Sequence, residues 1–442
     1  MTNSTLKINH HTILANRDSI FIINKYKPVK MKTIRIILIG MLCTFLVSCN
    51  KDEDNGSGGS NNGLKSGQIE FKAYPDKDNK ISFFATAKKI TIDWGDGTKD
   101  EFEPNGSEKE FIHEFSNQNF QTVSIVTESI TSFQPSKSGK GTLHELRFGK
   151  CSELKDVYCS GQKLTVLDIK NAVTSLETLI CGDNQLSSLD VSGASKLESL
   201  YCKYNQLTSI DVSNCTSLKS LDYSFYNSPS ENDTRMKELN VKECASLTEV
   251  YCSYNEISVL DVSPCISLTL LDCSFNKISE LNISKSTALT ELNCGGNQLT
   301  SIDVSKCTSL TGLNCELNKL TTLNVSGTSL RQLICRDNQL SSLDISKCSL
   351  ELLLCGKNQL TSLDISKSPS LLSLFCESNQ LSNSSLNQII NDLKTISNLP
   401  PDPNNPCPYP PPYSGRFNFK DNPGTSSCDW IIAWEKGWWV FN

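Results

Sequence analysis

Histidine is nearly missing from this chain, with four in 442 residues. Only His113 and His144 lie beyond residue 48, and neither has a motif neighbour. There is no G-x-S-x-G, no H-E-x-x-H and no phosphate-binding glycine loop. Acyl transfer, zinc hydrolysis and nucleotide chemistry have no foothold, so an enzyme is the poorest reading. No cofactor or metal is expected. A membrane-spanning run is lacking too, because the apolar core from Ile36 to Phe45 is too short to cross a bilayer. Positive charge is outnumbered after the N-terminus. Residues 1–48 carry a net +6 in a chain of −6, which leaves −12 for the rest. An acidic protein is a poor partner for nucleic acid. Twenty cysteines are present, yet no C-x2-4-C pair of the kind that gathers zinc.

What is there is periodic. Residues 289–309 spell LTELNCGGNQLTSIDVSKCTS, and the next copy begins at once with LTGLNCELNKL. Copies start at Leu154, Leu176, Leu197, Leu218, Leu247, Leu268, Leu289, Leu310, Leu330, Leu350 and Leu371. Most spacings are 21 residues, and the copy from Leu218 is 29 long. The pattern L-x-x-L-x-C-x-x-N-x-L-x-x-L-D-V-S is a leucine-rich repeat. So short a period leaves no room for a convex helix. Two short strands per turn are expected, through L-x-C and L-D-V-S, with stacked copies sharing one apolar core. The fold class is thus mainly β: a parallel solenoid over 139–381, preceded by a small β-sandwich.

Each place in the repeat has a task. Leucines at places 1, 4, 11 and 14, with Val or Ile at 16, point inward. Asparagine at place 9 (Asn184, Asn205, Asn255, Asn276, Asn297, Asn318, Asn338, Asn358, Asn379) satisfies backbone groups where the chain leaves the first strand. Gln162 stands there in the first copy. Asp or Asn at place 15 (Asp190, Asp211, Asp261, Asn282, Asp303) recurs too regularly for paired-carboxylate chemistry and is expected to be scaffold.

Place 6 holds Cys159, Cys181, Cys202, Cys252, Cys273, Cys294, Cys315, Cys335, Cys355 and Cys376, with Tyr223 the exception. A second column holds Cys151, Cys215, Cys244, Cys265 and Cys307, with Cys348 slightly displaced. Thiols on in-register parallel strands sit about 4.8 Å apart, whereas a disulfide wants Cβ atoms about 3.8 Å apart. A buried ladder of free thiols is therefore expected. Disulfides are the next reading and a metal the last. This column, in the form L-x-x-L-x-C-x-x-N-x-L-T-x-L-D-V, resembles the cysteine-ladder subgroup of internalin-type leucine-rich repeats. The resemblance covers 154–381 and implies a bacterial surface adhesin or adhesin-like protein. It does not identify a ligand.

The N-terminal third differs. MKTIRIILIGMLCTFLVSC, from Met31, the expected true start, has a secretory layout. Its end, Leu46-Val47-Ser48-Cys49, resembles a bacterial lipobox, which implies a lipid on Cys49 as the sole membrane attachment. Ordinary cleavage without a lipid is the alternative. Residues 49–65 form a polar tether, whose acidic run resembles the export signal of some Gram-negative surface lipoproteins. An outer-membrane lipoprotein exposed at the cell surface is expected, with a periplasm-facing one as alternative. Residues 66–138 alternate like strands (IEFKAY, KISFFAT, KITIDW, EFIHEF, QTVSIVT). Trp94-Gly95-Asp96-Gly97-Thr98, His113-Glu114-Phe115 and Thr122-Val123-Ser124-Ile125 resemble the PKD-type immunoglobulin-like module, which usually serves as a spacer. Asp93 and Asp96 fit turn chemistry better than a calcium site.

After Leu381 the period stops. Within 382–442, expected to cap the solenoid, SSLNQIINDLKTI has helical spacing with Asn383 or Ser384 as cap. A proline-rich loop follows, then a stretch that resembles the closing unit of related bacterial surface repeats. Trp430, Trp434, Trp438 and Trp439 are suited to covering the last apolar edge; a binding site is their second reading. Cys407 and Cys428, outside both columns, are candidates for a pair.

A ligand site is expected on the concave strand, where places 3, 5, 7 and 8 vary. Tyr201, Tyr204, Phe225, Tyr251, Tyr254 and Phe275 fill places 5 and 8 of four successive copies, with Asp222, Glu249 and Asp272 among them. The long copy inserts its extra residues, around YNSPSENDTRM, beside them. A hot spot for a protein or glycan and a self-packed aromatic ladder use the same residues, and both readings stand. A structural or carbohydrate-capture part of a surface complex is the alternative to an adhesin.

Overall fold

A computed structural model describes residues 63–135, 143–225, 235–396 and 415–441. It also places a two-residue strand pair, Ala15–Asn16 with Ser19–Ile20. That pair belongs to a first unit, residues 1–40; all that follows concerns the second, 41–442. The secretory segment, Cys49, Cys407, the proline-rich loop and nearly all of the insertion lie outside the described residues.

Each copy from Leu154 onward contributes a three-residue strand at places 3 to 5. These strands pair parallel and in register, so that Leu292 faces Leu271 on one side and Leu313 on the other. Alternation along the strand turns place 4 and the following cysteine inward and places 3 and 5 outward. Leu289, Leu292, Cys294, Leu299 and Val304 of one copy are all buried. Full burial of each such leucine is worth about 1.5–3 kcal/mol, but only because neighbouring copies cover it.

The second strand is less regular than expected. It forms in only some copies, for example Val259–Asp261 with Glu280–Asn282. Between Asp303, Asn324 and Asp344 it shrinks to single bridges. The corner is held instead by the place-15 side chain. Asp303 Oδ1 accepts from the Ser305 N–H at 2.9 Å, and Asp190, Asp211 and Asp261 repeat this at 2.9 Å. Asn282 does so at 3.2 Å. None of the described residues of 154–381 is helical.

Ahead of the solenoid lie β1 (Gln68–Ala73), β2 (Lys80–Thr86), β3 (Lys89–Asp93), β4 (Lys99–Phe102), β5 (Glu108–Glu114), β6 (Gln121–Glu128), β7 (Ser132–Pro135) and β8 (Leu143–Phe148). They form two antiparallel groups, β4-β3-β6-β1-β8 and β5-β2-β7, that share one core. Both groups run on into the solenoid. β7 pairs parallel with Asp156–Tyr158, and β8 with Val166–Asp168. Phe133 of β7 and Phe148 of β8 meet edge to face at 5.8 Å, both fully buried, where the two cores join. The expected spacer is therefore no separate bead. The boundary expected at 138/139 falls in front of β8, which also hydrogen-bonds to β1.

In the β3–β4 turn, Asp93 Oδ1 accepts from Gly95 N and its Oδ2 pairs with Lys99 at 2.7 Å. Asp96 Oδ1 accepts from Thr98 N and Oγ1, and its Oδ2 lies 2.7 Å from His113 Nε2. Three of the four carboxylate oxygens thus serve the turn and its flanking strand, and the fourth holds His113 of β5. His113 stacks on Trp94 at 4.8 Å.

The period does not end at Leu381. α1 (Asn383–Asp392) buries Leu386, Ile389 and Ile390; its cap is Ser382, whose hydroxyl accepts from Ser385 N, rather than the expected Asn383 or Ser384. After it, Gly415–Asn418 joins the concave sheet beside Ser373–Phe375, and Trp438–Phe441 follows. Phe417 takes the leucine place, Phe419 the cysteine place and Asn422 the asparagine place of a further turn. Asn422 Nδ2 donates to Cys376 O at 3.0 Å, as its ladder counterparts do. Of the four tryptophans only Trp438 is fully buried, its indole N–H donating to Lys394 O; Trp434 and Trp439 are half-buried, and Trp430, on α2 (Trp430–Glu435), is 37% exposed.

Candidate functional site

The backbone that carries the site is set by the asparagine ladder. Asn276 Nδ2 donates to Cys252 O at 2.9 Å and to Cys273 O at 3.1 Å, and its Oδ1 accepts from Ile257 N at 3.0 Å. Three backbone groups at the strand's end are so satisfied without water, and the same set recurs at Asn297, Asn318, Asn358 and Asn379. The carbonyls it holds belong to the thiol column. All ten column cysteines are free and at most 1% exposed. Burial pushes the Cys294 thiol up to about 12 and drives Cys181, Cys273 and Cys335 well up. These sulfurs are packing, held as neutral thiols. In the second column burial likewise pushes Cys244 and Cys265 up to about 12.

Turning off the strand forces place 8 into the left-handed region. Its φ is 55° at Asp183, 53° at Leu317, 54° at Asp337 and 50° at Lys357. Tyr204 (53°), Tyr254 (58°) and Phe275 (52°) adopt the same conformation. Left-handed backbone is costly for an L residue, and Gly, Asn or Asp tolerates it best. Gly296 takes this place in the next copy, with φ 66°, and an added Cβ there would lie 2.7 Å from the Phe275 ring.

The sequence-derived patch is brought together on this frame. Tyr254 and Phe275 stack at 4.5 Å with 16° between their planes, and Tyr204 meets Phe225 edge-on at 5.4 Å. Tyr201, Asp222, Tyr251 and Asp272 face one another in register across successive strands. Glu249 lies in the adjacent row, beside Ser220 and Leu270. All six rings keep some exposure, Phe275 the most at 37%. Asp222 differs from the expected rim acid. It is buried, with Ser224 N and Oγ donating to Oδ1 at 3.0 and 2.7 Å and Lys203 Nζ 3.9 Å from Oδ2. Asp272 makes the same serine clasp with Ser274, and burial pushes its carboxyl up. Tyr223, in the thiol column, is buried and leaves the patch to its neighbours.

Two groups escaped the sequence reading. Arg235, at the end of the insertion, is buried; its guanidinium carbon lies 4.0 Å over the Phe225 ring and Nη1 donates to Tyr254 O at 2.7 Å. It bolts the long copy to the patch. A second apolar stripe follows at place 5 of later copies, through Ile334, Leu354 and Phe375, with Phe441 6.1 Å from Phe375. Its signal was the replacement of Asp or Asn by large apolar residues in three successive copies. His144 sits apart from the concave face, edge-on to Tyr74 and Phe120. Cys428, directly after the short turn Thr425–Ser427, is buried.

These features define a cysteine-ladder leucine-rich-repeat solenoid. No protein-family model and no curated protein matches the chain. Solved structures do. The chain is similar to the functional domain of InlJ from Listeria monocytogenes, which includes a cysteine ladder: 29% identity and a TM-score of 0.42 over 57% of this chain and 67% of that one. It is similar to a leucine-rich-repeat protein of Leptospira interrogans at 20% identity and a TM-score of 0.46, over 66% and 79%. An internalin (inlF) of Listeria monocytogenes gives 18% and 0.39, over 56% and 77%.

Proposed function

We propose that the protein is a non-enzymatic, adhesin-like binding protein of the cell surface. A lipid on Cys49 tethers it, a PKD-like module leads into the solenoid, and the concave face around Tyr204 and Tyr254 meets a protein or glycan. One observation carries this reading. The scaffold asks only for a left-handed residue at place 8, and in other copies uses Gly, Asp, Lys, Ser or, once, Leu there. Four successive copies put aromatic rings at that place. A left-handed L residue costs about 1–2 kcal/mol, and a ring pair returns about 0.5–1.5 kcal/mol. Against Gly or Asn at that place the rings bring no net stability, and a desolvated anchor for a ligand gives them a reason.

The test replaces Tyr204 and Tyr254 by Asn, which tolerates the backbone. Thermal unfolding of the double variant should stay within about 1 kcal/mol of the parent, since the two contributions cancel. Attachment of the labelled protein to cells and to a glycan array should be lost. Unchanged attachment by the folded variant would overturn the concave site, and a loss of several kcal/mol of stability would return the rings to a structural role.

A further inference from the structure

The concave face is not electrically even. Across the copies that start at Leu197 to Leu310, places 3, 5, 7 and 8 carry Asp222, Glu249, Asp272, Glu291 and Glu316 against one cation, Lys203, to which the insertion adds Arg235 over the Phe225 ring. Lys203 leans toward Asp222. Among the described residues, Glu249, Asp272 and Glu291 have no ion-pair partner, and burial pushes all three carboxyls up. In the next two copies the balance is different: Arg336 and Lys357 both pair with Asp337, at 3.0 and 3.2 Å.

The sheet is shaped to hold these acids down. Gly312 leaves the space in which the Glu291 carboxylate lies, and an added Cβ there would collide with it. The Glu316 stem rests over Gly295, 3.2 Å from where a Cβ would be. The Glu316 side chain is therefore buried along the sheet beside the rings, while Glu291 lies over Gly312 and stays exposed. The same rings already accept cations: Arg235 lies over Phe225, and Lys203 Nζ is 5.9 Å from the Tyr204 centroid.

We infer that this trough docks a lysine- or arginine-bearing polypeptide segment, its cationic heads seated between tyrosine faces and floor carboxylates. The inference rests on the concave-face reading above. Charge complementarity selects the occupant: carboxylates without counter-ions among the described residues repel an acidic partner, and ring faces attract ammonium and guanidinium groups. A polymer is required because strand rungs about 4.8 Å apart spread the acids over several rungs. One ammonium reaches one of them; a chain of cations reaches them all.

The test uses the whole protein and four probes: a twelve-residue peptide of alternating lysine and glycine, its glutamate and serine counterparts, and maltohexaose. The lysine peptide should bind and the others should not. Its affinity should fall about tenfold or more between low and high salt. Glu249→Gln/Asp272→Asn/Glu291→Gln should weaken it about tenfold or more, with native thiols still protected, whereas Glu377→Gln at the balanced end should not. Equal binding of the serine peptide or maltohexaose, or an indifferent triple variant, would overturn the cationic ligand. If Tyr204→Asn/Tyr254→Asn abolishes cell attachment while the lysine peptide never binds, the cation claim falls and the concave site stands. If neither holds, both fall.

Discussion

At the scale of single residues, the asparagine of place 9 matters more than the cysteine that first draws the eye. Asn276 answers three buried backbone groups at once. Asn276→Ala should cost on the order of 3 kcal/mol, because unsatisfied buried groups are penalised in full. Denaturant unfolding measures it; a loss below about 1 kcal/mol would mean that the corner relaxes. The roles of leucine, cysteine and asparagine were legible in the sequence because each recurs at a fixed place. The left-handed backbone at place 8 was not. Asp183, Tyr204, Leu317, Lys357 and Ser378 share that conformation and nothing chemical, so no residue type announces it.

At the scale of elements, both ends of the solenoid are finished by continuing its sheets. β7 and β8 begin them, and the strands Gly415–Asn418 and Trp438–Phe441 extend the concave one. Five of the eight leading strands were visible as alternating runs. β4 was hidden by its charged, exposed residues, β7 by its four-residue length and β8 by lying beyond the expected boundary. The turn around Phe417 was hidden by phenylalanines in the leucine and cysteine places and by its distance from Leu381. Trp438 closes that end. Trp438→Ala should cost about 3–5 kcal/mol and speed amide exchange first in the last strands, then in the copies before them. Exchange that rises equally along all copies would contradict an end cap.

At the scale of the whole molecule, the thiol ladder sets an alkaline limit. An unfolded thiol ionises near its ordinary value of 9.0, while burial holds Cys294 up to about 12 and its ladder neighbours high as well. Between those values the unfolded chain has released protons that the folded chain keeps. Stability is therefore full below about pH 9 and falls as pH rises from there. Denaturant midpoints between pH 8 and pH 11 should drop steeply, and Cys294→Ala should make the drop shallower by about one proton. A flat profile would mean that the column is solvated. For a chain that reaches the cell surface as proposed, the same ladder imposes a race. Until each copy stacks on its neighbour, its thiol is open to oxidants outside the cytoplasm; once stacked, it is sealed. Folding has to outrun oxidation, and a copy delayed by even one mispaired sulfur would hold back every copy that stacks on it.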